Sequence, residues 1–218
     1  MVKPLLILIH GVARTSRMWA PHLPLLQPQV DVIAPDLPGF GVTTGPFRFD
    51  EAVAQVAADL DAGLGTGGGR TAYVCGDSAG AMVALRLAVR RPEAVTGLIV
   101  SGVQVHPPRV LLALQGVFMR AIPAARYSED DPGVTKESVL TAVRELGRVD
   151  LRPDLAAVRA RTLVVCGEQD RANLSAARRA AAGIAGAQLR VQPDAGHLWS
   201  EAEPEAFSRM LLDWAVPS

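Results

Sequence analysis

Apolar and β-branched residues gather in runs at Leu5–Ile9, Val30–Ala34, Thr71–Cys75, Thr96–Ser101, Thr162–Cys166 and Ala187–Gln192. The runs are near-continuous rather than alternating, as strands buried on both faces require. Between most of them the spacing turns helical. Val53, Val56, Ala57, Leu60 and Leu64 fall on one stripe, which predicts a helix with Asp50 as its N-cap and the glycines from Gly63 to Gly69 as its stop. Strand and helix in repeated alternation predict an α/β fold, with about six mainly parallel strands and helices on both faces.

One stretch breaks the rhythm. From about 103 to 153 there is no strand, only a helical pattern over Arg109 to Ile122, an acidic turn at Glu129-Asp130-Asp131-Pro132-Gly133 and a second helix over Lys136 to Leu146. An insertion after a strand's C-terminal end, where open α/β sheets bind ligands, is expected to form a lid or cap. Residues 1–218 otherwise read as one domain, without internal repeat or linker. In the aliphatic run Val110, Leu111, Leu114, Val117, Phe118 and Ile122, the core of the cap and the lining of a pocket are equally good readings.

Composition narrows the function classes. Twenty-two basic residues balance twenty-two acidic ones, and no long basic run occurs, so the footprint of a nucleic-acid or anionic-membrane binder is missing. A small-molecule partner is expected, with no nucleic acid and no membrane; nothing in the pattern speaks to oligomeric state. The N-terminal apolar run leads into His10-Gly11 without a cleavage site of small residues, so it reads as a core strand and the protein as cytoplasmic. The two cysteines, Cys75 and Cys166, each close a strand-like run, which suits buried thiols better than a disulfide, and no ligand cluster suggests a metal.

The chemistry concentrates at Gly76-Asp77-Ser78-Ala79-Gly80, between the run ending at Cys75 and a helical segment from about Ala81 to Val89. Glycines two residues either side permit a strained strand-to-helix turn that exposes a serine hydroxyl, and the helix N-terminus offers amides to an oxyanion. Ser78 is therefore a nucleophile candidate. A serine hydroxyl needs a base, and the base needs a group to fix its tautomer. His197 and Asp170 follow the last two runs, and the order Ser78, Asp170, His197 is one of the known triad orders. Glu168 is near enough in sequence to rival Asp170. His10 and Asp36 read as structural groups that order their loops, while His22 and His106 default to surface or pocket positions.

These motifs resemble the α/β-hydrolase fold superfamily over nearly the whole chain. His10-Gly11, with Trp19 beyond it, resembles the family's oxyanion loop, which implies the amides of Val12 and Ala79 as the oxyanion hole. Asp36-Leu37-Pro38-Gly39-Phe40-Gly41 resembles its Asp-x-x-Gly-x-Gly turn, and Gly196-His197 followed by Glu203-Pro204-Glu205 resembles its histidine loop. The insertion falls where the family carries its cap. The chain opens at what would be the family's third strand, so the resemblance implies a reduced sheet. It also implies a sheet order in which the run Thr96–Ser101 separates the two cysteine-bearing strands, placing the thiols about 10 Å apart, too far for a disulfide. The proline common after the acid is replaced by Arg171-Ala172-Asn173.

The implied activity is that of a serine hydrolase cleaving small, mostly apolar carboxylic esters through an acyl-enzyme, with no metal or organic cofactor. A serine at the elbow argues against the haloalkane dehalogenases and epoxide hydrolases of the superfamily, which use aspartate. Two alternatives stay open. One is a C–C bond hydrolase or lyase acting on a carboxylate-bearing metabolite, with Arg109, Arg120 and Arg126 as partners for the carboxylate. The other is a non-catalytic small-ligand receptor that keeps the triad.

Overall fold

Strand β1 (Leu5–Ile9) is buried at every position, and its side chains divide between two faces. Leu5, Ile7 and Ile9 enter one core, while Leu6 and Leu8 enter another. That two-sided burial is why the run is apolar throughout instead of alternating. In the computed structural model, which describes residues 2–65, 69–107, 123–131 and 133–215, β1 is joined by β2 (Asp31–Ile33), β3 (Ala72–Asp77), β4 (Val95–Ser101), β5 (Arg161–Gly167) and β6 (Gln188–Gln192). The order across the sheet is β2-β1-β3-β4-β5-β6, and every neighbouring pair is parallel. All six expected strands are present.

Parallel pairing needs crossovers, and helices supply them on both sides. One face is covered by α2 (Phe49–Leu64) and α3 (Ala79–Arg90), followed along the chain by α4 (Ala124–Asp130), α5 (Lys136–Leu146) and α6 (Arg171–Gly183). Val53, Val56 and Leu60 of α2 meet Val83 and Leu87 of α3 in this core. The opposite face is covered by a 3-10 turn (Ser16–Trp19), α1 (Leu23–Leu26), α7 (Trp199–Ala202) and α8 (Pro204–Ala215), with Trp19, Leu26, Phe207 and Leu211 packed together. No helix among the described residues is long and apolar enough to cross a membrane.

Several expectations are corrected. Helix α2 begins one residue before Asp50, with Arg48 at the N-cap position; Asp50 and Glu51 lie in the first turn, where their charges favour the positive end of the helix dipole. Strand β6 is buried on neither side at Gln188, Leu189 and Arg190, because it closes the sheet edge. The acidic turn is part helix, since α4 runs to Asp130, and Asp131 is buried. Its carboxylate accepts the Thr15 amide at 2.7 Å and the Thr15 hydroxyl at 2.8 Å, and Gly41 donates its amide to Gly133 at 3.0 Å. The expected helix over Arg109 to Ile122 lies outside the described residues. His22 is fully buried, stacked edge-on between Trp19 and Phe207 with Nδ1 2.9 Å from the Ser208 hydroxyl. Burial pushes it down to about 4, so it is neutral at pH 7. The two cysteines are buried and unpaired, on strands separated by β4.

Candidate active site

Strand β3 ends at Asp77 and α3 begins at Ala79, so a single residue makes the turn. That residue, Ser78, adopts φ 54 and ψ −112, a conformation L side chains rarely occupy. Its amide is held by the Ser101 carbonyl of β4 at 2.8 Å. The flanking glycines follow from close approach. A Cβ on Gly76 would strike the Gly80 carbonyl, and one on Gly80 would strike the Ile9 and His10 carbonyls of the β1 end. The turn is compressed between its own helix and the neighbouring strand, which is what lifts the serine hydroxyl clear.

Ser78 Oγ lies 3.2 Å from His197 Nε2, and His197 Nδ1 lies 2.7 Å from Asp170 Oδ2. The three side chains come from the ends of β3, β5 and β6, brought to one edge of the sheet by parallel pairing. Two further glycines let them meet. A Cβ on Gly167 would strike the backbone of Ala195 and Gly196, and Gly102, at φ 59, lies beneath the imidazole where a Cβ would sit 2.9 Å from His197 Cε1. Glu168 is placed elsewhere: it accepts the Asp194 amide at 3.3 Å, so Asp170 alone of the two acids reaches the histidine.

Asp170 is 6% exposed. Burial pushes its carboxyl up, but hydrogen bonds from His197 and Asn173 outweigh that and hold it below the usual carboxylate range. The bond to Asp170 raises His197, partly offset by desolvation. Asn173 was not recognised as a site residue from sequence. Its Nδ2 sits 2.9 Å and 2.8 Å from the two Asp170 oxygens, and Gln104 Nε2 donates to its Oδ1 at 2.7 Å, which orients the amide. A signal existed: Asp170 is the N-cap of α6 and Asn173 the third residue of its first turn, a spacing that lets the second side chain reach back to the first.

Gly11 abuts the turn, since a Cβ there would sit 3.9 Å from Ser78 Oγ. The next amide, that of Val12, donates to no carbonyl among the described residues. Ala79 is the first residue of α3, where a helix leaves its amides without intrahelical acceptors. His10 is structural, as expected: fully buried, it accepts the Leu37 amide on Nε2 at 2.9 Å. Asp36 orders its turn by accepting the Ser16 and Val42 amides at 2.7 Å and 3.0 Å.

Asp77 is a second group the sequence did not single out. It is 2% exposed, and its Oδ1 has no hydrogen-bond partner among the described residues. Burial pushes it up to about 6, against a lowering hydrogen bond from Ser101 and the nearby His197 charge. A carboxyl raised in the folded state stabilises fully below its unfolded value and loses that contribution as pH rises through the folded one. Over about two pH units this amounts to about 3 kcal/mol. Asp77→Asn removes the titration, so its unfolding free energy relative to the parent should improve between pH 4 and pH 8, read by urea unfolding. Parallel pH curves for the two proteins would show that Asp77 does not titrate in this window.

The sequence pattern that defines the Alpha/beta hydrolase family matches residues 6–210. The chain belongs to that family. This hydrolase is an enzyme, and its relatives are named as hydrolases. It is 26% identical over 240 residues to a protein of Escherichia coli O26:H11 provisionally named as the carbamate hydrolase RutD, covering 96% of this chain and 90% of that one. A solved hydrolase from Pseudomonas aeruginosa PA01 superposes with a TM-score of 0.82 at 25% identity, covering 97% of this chain and 89% of the other. An enol-lactonase from Burkholderia xenovorans LB400 shares the fold with a TM-score of 0.82 at 22% identity, covering 98% and 92%. Among the described residues of the hydrolase, no group of three His, Cys, Asp or Glu side chains is placed to hold a metal ion.

Proposed function

We propose that this hydrolase cleaves small, mostly apolar carboxylic esters through an acyl-enzyme on Ser78. The observation that carries the reading is the continuous chain from Ser78 Oγ through His197 to a buried Asp170, with Ser78 on a strained turn. His197 takes the hydroxyl proton as Ser78 attacks the carbonyl, and Asp170 holds the imidazole in the tautomer that can accept it. The amides of Val12 and Ala79 receive the negative charge of the tetrahedral intermediate. His197 then protonates the leaving alcohol, and a water activated by the same imidazole releases the acid. The carbamate carbonyl in the name of the Escherichia coli relative belongs to the same ester-like class. Residues of about 103–153 serve as the cap that selects the acyl group, working in the cytoplasm on a small-molecule substrate.

For the lyase alternative, Arg126 is exposed, and Arg109 and Arg120 lie outside the described residues, so no observation favours it. The test needs no knowledge of the natural substrate. On exposure to a small fluorophosphonate, intact-mass analysis should find one adduct, mapping to Ser78, and His197→Ala should abolish it. Ester hydrolysis that proceeds while Ser78 stays unmodified would overturn the assignment, and adduct formation without turnover of any ester would favour the receptor.

A further inference from the structure

His197 sits on a loop whose two ends are held differently. Upstream, the Gln169 amide donates to the Ala195 carbonyl at 2.9 Å, fastening that side to the loop that carries Asp170. The Gly196 carbonyl also abuts Gly167, while a Cβ on Gly196 itself would meet nothing within 4 Å. Downstream the chain enters the four-residue helix α7, and its Glu201 side chain pairs with Arg14 of the segment after β1. Arg14 Nε donates to Glu201 Oε1 at 2.8 Å, joining positions 187 residues apart in sequence. The same guanidinium donates through Nη1 to the Ala13 carbonyl at 2.9 Å. Ala13 has φ 62, the left-handed region, and it directly follows Val12.

We propose that Arg14 and Glu201 form a clasp that registers the histidine loop against the oxyanion loop, making both positioning residues for attack. For its kinetic consequences the proposal rests on the reading of Ser78 as nucleophile. One planar group holds the strained peptide beside the Val12 amide and, with its other edge, the helix that begins two residues after His197. Planarity and two fixed donors are what a guanidinium offers and an ammonium does not. The side chains are 26% and 30% exposed, so the pair is screened from water more than an open surface ion pair would be. Neither side chain touches Ser78 or Asp170 through a hydrogen bond, so the clasp acts through the placing of others. The Arg14 charge also reaches His197 and disfavours its protonated form, alongside the favouring charges of Asp170 and Asp77.

The test uses Arg14→Met, Glu201→Leu, the double variant and Arg14→Lys. Expected for each single variant is a tenfold fall in kcat with KM within twofold, and an equal fall in the rate of fluorophosphonate labelling. The double variant should lose no more than either single one, because both break the same link. Arg14→Met should also move the acid limb of the pH profile upward, since the charge that lowers His197 is gone, while Arg14→Lys should leave the limb in place yet recover little kcat. Hydrogen exchange of the segment 195–203 supplies a readout free of catalysis and should quicken in both single variants. Unchanged exchange, additive losses, or a lowered Tm at unaltered kcat would each overturn the clasp. If the parent protein takes no adduct at Ser78 while exchange quickens in the variants, the nucleophile assignment falls and the clasp stands.

Discussion

Replacing Ser78 with glycine is expected to cut ester turnover by about 10⁴-fold or more and, in the same protein, to raise the unfolding midpoint. The two effects share one cause. Ser78 occupies φ 54 and ψ −112 because the turn between β3 and α3 has room for one residue only. A side chain in such a region costs of order 1–3 kcal/mol, a cost the surrounding sheet and helix impose. Glycine relieves it and gives back about 0.5–1 kcal/mol through its looser unfolded chain. A net gain near 1 kcal/mol corresponds to about 2–4 °C for a protein of this size. Calorimetry of Ser78→Gly beside Ser78→Ala separates strain from the mere loss of the hydroxyl, because only glycine relaxes the backbone. A midpoint that falls in Ser78→Gly would mean the turn is not strained; retained turnover would mean the hydroxyl is not the nucleophile.

Gly80→Ala should fail to fold or lose more than about 4 kcal/mol of stability, whereas Gly196→Ala should stay within about 0.5 kcal/mol of the parent. Both glycines belong to motifs that bear site residues, yet they meet different surroundings. A Cβ at Gly80 would overlap the carbonyls of Ile9 and His10, which are backbone and cannot rotate aside. Either β1 shifts and its ladder with β3 breaks, or α3 lifts and the turn opens. At Gly196 the same atom points into open space, and the backbone is not in the left-handed region. Urea unfolding of the two variants reads the contrast directly. Similar stabilities would show that the elbow is looser than the close approach implies.

How much of this was legible in the sequence depends on what each residue's role rests upon. The strands were legible because burial on two sides forces continuous apolar runs, and β1 and β5 keep that pattern almost to the residue. The edge strand β6 was located but its exposure was not, since sheet position is a property of the assembled fold. Ser78, Asp170 and His197 could be picked out because each follows a strand, and strand ends in a parallel sheet converge. Asn173, Asp77 and the Arg14–Glu201 pair were missed for the opposite reason. An asparagine three residues into a helix, or an arginine in a loop, looks the same whether it faces solvent or a buried carboxylate. His22, which by default reads as a surface or pocket position, is interior only because it packs against Trp19 and Phe207, and the burial of Asp131 against Thr15 is likewise a property of the assembled fold. Helix α5 was legible to the residue because Thr135 and Ser138 form a local capping box, which needs no distant partner.

The placing of His197 after the last strand has a consequence for the life of the newly made chain. Ser78 and His197 are separated by 119 residues, and the histidine follows β6, which closes the edge of the sheet beside β5. A side-chain contact across such a separation forms after the local turns and helices that carry its two members. A chain still emerging from the ribosome therefore displays its serine on a finished elbow with no base beside it. Cutting power arrives in one step, when the final strand docks, so hydrolysis in a refolding experiment should lag behind helix content and coincide with the last tertiary signal.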